Sequence, residues 1–356
     1  MLPSSYQVRT ADSYAEEVVA SDYRRYNDNT QQGVVNNNDH LEDPNMTCTE
    51  RERQRKTLEM YQNKDGSVYL LDVYETRQQY GYCSILFSVA QTLILAIMMW
   101  QCGIAPLQVN PMVGPMPDVL NYWGAKNTVL IVEDGEYFRL LSPMMLHAGI
   151  FHWIGNISVQ LESGLFFERE WGSLNWLIIY LTSTVGASIL SVIVMPQSLS
   201  VGSSGAVMGL FGAKLSEIFC RSCERSQTLQ EKVGHAMRKH QLVLAGGGVI
   251  LVLVFSFIPF VDWAAHLGGC VTGMFVGLML FSCAIRSYFW KLAWFLVGLV
   301  LTVGGFSISW QYMFSGDVEI IEELREVCEY YQEMMGDADY ECTCTLDGND
   351  NGGSGD

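Results

Sequence analysis

The chain has 356 residues, 49% of them hydrophobic, a mean hydropathy of +0.15 and a formal net charge of −17. The charge is segregated: residues 1–80 carry 14 Asp+Glu against 9 Lys+Arg, residues 315–356 carry 13 against the single Arg325, and residues 81–314 hold 11 of each. An acidic chain with no basic stripe argues against a nucleic-acid partner, and a neutral, apolar middle between charged flanks points to the lipid bilayer as the solvent.

Residues 1–80 are rich in Asn, Gln, Asp, Ser and Tyr and show no apolar periodicity, so a largely disordered tail is expected there. A short charged helix near Glu50–Tyr61 is its one structured candidate. Met1-Leu2-Pro3-Ser4-Ser5 lacks the charged and apolar regions of a signal peptide, and the acidic, Asn-rich stretch is unlike a mitochondrial transit peptide. Insertion is therefore expected to depend on the first internal apolar segment.

A membrane-crossing helix needs about twenty mostly apolar residues. Seven segments qualify: 82–101, 143–166, 174–195, 204–220, 242–260, 264–283 and 292–313. Cys83, Cys102, Cys270 and Cys283 lie in or beside these runs, where thiols behave as small hydrophobes and core packing is the expected role. Orientation follows from Lys and Arg in the short loops. Arg221, Arg225, Lys232, Arg238 and Lys239 lie between segments four and five, and Arg286 and Lys291 between six and seven. That side is shared with residues 1–80, so the N-terminus is predicted to be cytosolic and residues 315–356 lumenal or extracellular. The sequon Asn45-Met46-Thr47 then faces the cytosol and goes unused. The acidic tail reads as solvated. Its Cys328, Cys342 and Cys344 would face an oxidising side, where a disulfide can form. Asp347-Gly348-Asn349-Asp350 lacks the spacing and terminal Glu of a calcium loop.

The chemistry gathers at one depth. Gly202-Ser203-Ser204-Gly205 opens segment four and Ala265-His266-Leu267-Gly268-Gly269 opens segment six. Both follow an outward crossing, so Ser204 and His266 are placed about a turn below the non-cytosolic surface. Polar residues at such positions are costly and usually functional. Gly205 and Gly209 share one face of segment four, and Gly269 and Gly273 one face of segment six; small-xxx-small faces let helix backbones approach closely. If these faces meet, His266 can take the Ser204 proton as general base and return it to a leaving amine. Taken singly, Gly-Ser-Ser-Gly is a common linker sequence and a membrane histidine can serve a proton path. Segment two adds His147, His152 and Asn156, with the last two on one helical face. Together with the Ser204 N–H, His152 and Asn156 could stabilise an oxyanion, although a polar network that only joins helices would look the same. A metal site is disfavoured, because the nearest carboxylate, Glu162, is about two turns away. No metal or cofactor is needed for this chemistry.

These residues resemble the rhomboid family of intramembrane serine proteases over roughly 81–314. Gly202-Ser203-Ser204-Gly205 matches the family's Gly-x-Ser-Gly, Ala265-His266-Leu267-Gly268-Gly269 its Ala-His-x-x-Gly, and His147, His152 and Asn156 its His-x4-His-x3-Asn. Glu168 and Gly172 match the Glu and Gly after segment two, and Phe138-Arg139 stands for the usual Trp-Arg, with Arg139 kept. The resemblance implies an all-α polytopic membrane protein, a rhomboid-like six-helix bundle with one additional C-terminal transmembrane helix, as in the secretase-type branch. It implies Ser204 as nucleophile, His266 as base, His152, Asn156 and Gly202 around the oxyanion, and His147 in support. It further implies that 102–140 is a membrane-embedded first loop, that Phe257-Ile258-Pro259-Phe260 caps the site and that segment five is a lateral gate. Single-span transmembrane proteins would be the substrates, and a secretory-pathway or plasma membrane the location. Met208 departs from the pattern, since many members place an aromatic ring four residues after the nucleophile. The alternatives are an inactive rhomboid-like protein that binds membrane clients, and a channel or transporter using His147, His152 and His266 as a proton relay.

Overall fold

The structure, a computed structural model, describes residues 76–222, 229–256 and 261–335. The tail before residue 76, the stretch 257–260, and Cys342, Cys344 and the Asp347–Asp350 run lie outside the described residues. The chain divides into two compact units. Arg77–Arg221 with Leu244–Asp356 forms one; of the other, Met1–Thr76 with Ser222–Val243, the described part is chiefly helical.

No strand forms among the described residues. Helices occupy all seven apolar segments: α1 (Tyr82–Cys102), then after the short α2 (Pro117–Tyr122) and α3 (Thr128–Val132), α4 (Ile150–Val159) running through the π-turn Gln160–Gly164 into α5 (Leu165–Trp171), followed by α6 (Ser173–Val194), α7 (Ser204–Ser222), α8 (Leu229–Phe255), α9 (Trp263–Ser282) and α10 (Tyr288–Met313). α1, α6, α9 and α10 are long and apolar enough to cross a membrane by themselves. The α4–α5 helix carries Glu162, Glu168, Arg169 and Glu170, and α7 carries Lys214 and Glu217.

The second segment is misplaced by the hydropathy pattern. Residues 142–145 form a 3₁₀ turn containing Pro143, His147 and Ala148 are non-helical, and the helix begins only at Ile150. Its orphan N–H groups are met by the first loop, Ile150 donating to the Val113 carbonyl at 2.9 Å and Phe151 to that of Met112 at 3.2 Å. The helix continues to Trp171, past the expected end, because a π-turn accommodates Gln160 within a buried polar network. There the Gln160 amide donates to Ser88 Oγ (2.8 Å) and Gln91 Oε1 (3.1 Å), and Tyr180 donates to Gln160 Oε1 (2.7 Å). Carbonyls freed by a π-turn need other donors, and Trp176 Nε1 supplies one to Gly164 at 3.0 Å.

α6 and α9 are the most buried spans, while α10 exposes Val300, Val303 and Ile308 and buries almost nothing, as expected of a helix facing lipid. The tightest contact joins α7 to α9. A Cβ placed on Gly269 would lie 1.9 Å from the Gly205 carbonyl oxygen, and one on Gly273 1.9 Å from that of Gly209. The two small-residue faces therefore meet backbone to backbone. α6 lies alongside, with Ala187 2.6 Å from a Cβ on Gly205 and Ser183 2.1 Å from one on Gly209.

Two further readings of the sequence need correction. Residues after α10 are not simply a solvated tail: Val318, Leu324 and Val327 are buried, and the 3₁₀ turn Glu322–Arg325 packs on α3. Asn127 Nδ2 donates to the Leu324 carbonyl at 2.8 Å, and Arg325 pairs with Glu133 (3.2 Å) and Asp134. The acidic surplus masked an apolar stripe at Val318, Leu324 and Val327. Cys102 is not a packing thiol either: it is disulfide-bonded, as is Cys328 on α11 (Val327–Met335), whereas Cys83, Cys270 and Cys283 are free.

Gly269→Ala should force α7 from α9 and lower thermal stability by about 1–3 kcal/mol, the usual cost of overpacking. Gly304→Ala on α10, where an added Cβ meets nothing within 4 Å, should leave the midpoint unchanged or raise it slightly. Thermal unfolding of the two purified variants reads both.

Candidate active site

Ser204 is the first residue of α7 and His266 lies in the first turn of α9, so the glycine contact brings both to one end of the same interface. His266 Nε2 stands 2.7 Å from Ser204 Oγ. They open on a cavity of about 700 Å³ whose lining also includes His152, Asn156, Gly202, Met208 and Tyr331. A helix N-terminus leaves N–H groups without intrahelical partners and carries a partial positive charge, and Ser204, the first residue of α7, lines this cavity, which suits a developing negative charge.

His152 reaches this point from α4. The Ala148 N–H donates to its Nδ1 at 3.3 Å, which leaves Nε2 as the nitrogen bearing hydrogen. Asn156 Nδ2 uses one hydrogen on the His152 carbonyl at 3.0 Å and has a second to offer. Both side chains converge on Gly202. A Cβ there would lie 2.7 Å from His152 Cε1, 2.9 Å from Nε2 and 3.7 Å from Asn156 Nδ2. Gly202 also has φ +124°, a conformation that side chains rarely adopt, so the position excludes other residues twice over. His147 is fully buried, edge-on to His152 with ring centroids 5.4 Å apart, and stays behind the cavity lining.

Arg139, Glu168 and Gly172 are not brought to the cavity. Arg139 is buried in the first loop, donating to the carbonyls of Asn121 (2.6 Å) and Ala125 (3.0 Å) and to Glu136 (2.5 Å), with its guanidinium over Phe138. Glu168 accepts from the N–H groups of Cys83 and Ser84, both at 2.8 Å, and so caps α1 from α5. Gly172, at φ +84°, separates α5 from α6. These three hold the scaffold together.

Asp262, which the sequence reading passed over, organises the site. It caps α9 by accepting from the Ala265 N–H at 2.8 Å, and its other oxygen accepts from Ser200 at 2.5 Å and from Ser191. The loop leading to Ser204 is thereby tied to the helix bearing His266. Ser200 also pairs with Lys126 through two backbone hydrogen bonds of 2.9 and 3.2 Å. Lys126 Nζ donates to the Met195 carbonyl (2.8 Å) and Ser198 Oγ (3.1 Å). Burial pushes the Lys126 ammonium down to about 8, with the Asp262 carboxylate acting the other way. An Asp just ahead of an apolar run is an N-cap signal that sequence alone offers; nothing in the sequence singles out Lys126. The opposite half of α7 carries a buried ion cluster, Lys214 Nζ to Glu170 (2.7 Å) and Glu217 (2.8 Å), also unanticipated.

Among known families, the Rhomboid domain matches residues 134–283, a range that contains the serine, the histidine and the His152–Asn156 pair. RHOMBOID-like protein 6, mitochondrial, of Arabidopsis thaliana is 31% identical over 60% of this chain and 72% of its own length. Rhomboid-like protease 2 of Toxoplasma gondii is 30% identical over 50% of this chain and 58% of its own. Inactive RHOMBOID-like protein 8 of Arabidopsis thaliana is 27% identical over 47% and 44%. The fold and the matched domain define a polytopic α-helical membrane protein. The chain belongs to the rhomboid family.

Asp262→Ala removes the cap of α9 and both serine contacts. A loss of about 1 kcal/mol is expected for the cap alone, with faster amide exchange concentrated in residues 198–204. Hydrogen exchange of the variant against the native protein checks this.

Proposed function

We propose that the protein is an intramembrane serine protease that cleaves single-span membrane proteins within or beside their transmembrane segments. The observation that carries the reading is the 2.7 Å contact between His266 Nε2 and Ser204 Oγ in the lining of a cavity. His266 takes the hydroxyl proton as Ser204 Oγ attacks a substrate carbonyl. The tetrahedral oxyanion forms beside the Ser204 N–H, His152 Nε2–H and Asn156 Nδ2, which need only accept charge in place. His266 then protonates the leaving amine, and water hydrolyses the acyl-enzyme by the reverse steps. The chemistry uses no metal or cofactor. Substrates with a weakened helix are favoured, because an intact helix shields its own peptide bonds.

Residues 81–314 form the membrane protease core in this reading, with 1–80 cytosolic and 315–356 outside or in a lumen. The Lys and Arg distribution supports that orientation. So do the disulfide-bonded Cys102, at the outward end of α1, and Cys328, both of which belong on an oxidising side. A secretory-pathway or plasma membrane fits these features, although one relative carries a mitochondrial name. The client-binding alternative has a named precedent in the inactive relative, and cleavage separates the two.

Reconstituted native protein should cut a single-span substrate. Ser204→Ala and His266→Ala should each lower kcat by about a thousandfold or more, and His152→Ala by about 10²–10³. Product formation that is equal in the native chain and Ser204→Ala, or absent from both while clients co-purify, would replace the protease reading with the binding one.

A further inference from the structure

His266 has two ring nitrogens, and the proposed chemistry uses one. Nε2 must present a lone pair to Ser204, so Nδ1 must carry the hydrogen, and a buried N–H needs an acceptor. The hydrogen bonds of Asp262 run elsewhere, to the Ala265 N–H, Ser200 and Ser191. The group beside Nδ1 is the hydroxyl of Ser256, 2.5 Å away, at the end of α8. Ser256 is itself buried.

The direction of that hydrogen bond follows from the other neighbour of Ser256. Its Oγ also lies 2.5 Å from the Val252 carbonyl oxygen one turn earlier. A carbonyl can only accept, and a serine hydroxyl has a single hydrogen. If that hydrogen pointed at Nδ1, the two oxygens would face each other at 2.5 Å with nothing between them. With the hydrogen on the carbonyl, Oγ presents a lone pair to the ring. His266 then donates from Nδ1, and Nε2 is left to accept from Ser204. One chain of hydrogen bonds, Ser204 to His266 to Ser256 to the Val252 carbonyl, has a single consistent polarity.

We infer that Ser256 is the positioning residue of this site, an uncharged third member that fixes the tautomer and ring orientation of His266. The inference rests on the protease reading for its catalytic consequence, though the tautomer itself does not. During attack the Ser204 proton moves to Nε2, the ring becomes an imidazolium, and the Nδ1–H bond to Ser256 strengthens as the ring gains charge. The proton next leaves Nε2 for the departing amine, and Ser256 ends as it began. A neutral hydroxyl stabilises the imidazolium less than a carboxylate would. Its contribution is expected in orientation more than in charge. Because Ser256 directly follows α8, the base is held by side chains from two elements flanking its own helix, Ser204 of α7 and Ser256 at the end of α8.

The test combines a spectroscopic and a kinetic readout on the full chain in lipid vesicles. In protein labelled with ¹⁵N-histidine, with the His266 signals assigned by their loss in His266→Gln, the native ring should be the Nδ1–H tautomer. Ser256→Ala should show a mixture of the two tautomers, and Ser256→Thr, which keeps the hydroxyl, should restore the native pattern. Against a single-span substrate, Ser256→Ala should lower kcat by about ten- to a hundredfold, part of the 10²–10⁴-fold that a positioned base supplies, with KM unchanged and with recovery in Ser256→Thr. An Nε2–H ring in the native protein, or a Ser256→Ala variant with unaltered tautomer and kcat, overturns the assignment. If Ser204→Ala cuts as well as the native chain, the protease reading fails, while the tautomer spectra still decide whether Ser256 orients His266.

Discussion

The arrangement of this protein depends on the absence of side chains at four positions. Gly205 and Gly209 on α7 meet Gly269 and Gly273 on α9 so closely that a methyl group at either α9 position would overlap a carbonyl oxygen of α7. In a bilayer there is no hydrophobic force to press one apolar helix on another, so association relies on close packing and on the few polar contacts available. Glycine supplies the first. It also sets a distance short enough for the second, since a serine and a histidine are small relative to the usual spacing of packed helices. The Ser204–His266 contact is thus a consequence of backbone approach, with the polar pair at the mouth of an interface that glycine has already closed.

That approach is necessary but leaves two freedoms open. The loop before Ser204 could swing, and the imidazole of His266 could rotate or shift its proton. Asp262 removes the first by holding Ser200 while capping α9, so that loop and helix move together. The Ser256 hydroxyl, in contact with Nδ1, bears on the second. The substitution of Met208 for an aromatic ring gains a physical reading here. Met208 is buried against Val249 of α8 and Cys270 of α9, a packing role that a flexible thioether fills well. Orientation of the His266 ring can then come from a directional hydrogen bond.

What was legible in the sequence was legible for a physical reason. Ser204, His266 and the glycine pairs stand out because a membrane helix tolerates polar and small residues only where they face other protein. Their spacing also carries the helical period directly. Helix existence was equally plain, whereas the start of α4 was not: the pattern 143–166 is apolar throughout, and hydropathy cannot see that Pro143 and the first loop's carbonyls delay the helix to Ile150. Ser256 was invisible because a serine near a helix end is ordinary, and only the fold brings it ten residues along the chain back to Nδ1. The contacts of residues 318–335 were hidden by composition, since seven Asp and Glu between 317 and 333 outweigh the few apolar residues that pack.

The C-terminal segment bears on how the cavity meets its surroundings. α11 carries the disulfide-bonded Cys328 in its first turn, and its neighbouring 3₁₀ turn is fastened to the first loop by Asn127 and by Arg325. Tyr331 of α11 lines the same cavity as Ser204 and His266. The cavity therefore has a wall that is not part of the helical bundle, built from a segment covalently restrained outside it. Such a wall cannot be displaced as easily as a free loop, because the covalent bond limits how far its backbone can move. Tyr331 is thus presented to the cavity from a backbone held by the disulfide at Cys328. From α8 the same cavity is lined by Val252, one turn before Ser256. The cavity is thus bounded by elements held in different ways, α11 by a disulfide and the end of α8 by the hydrogen bond between Ser256 and His266.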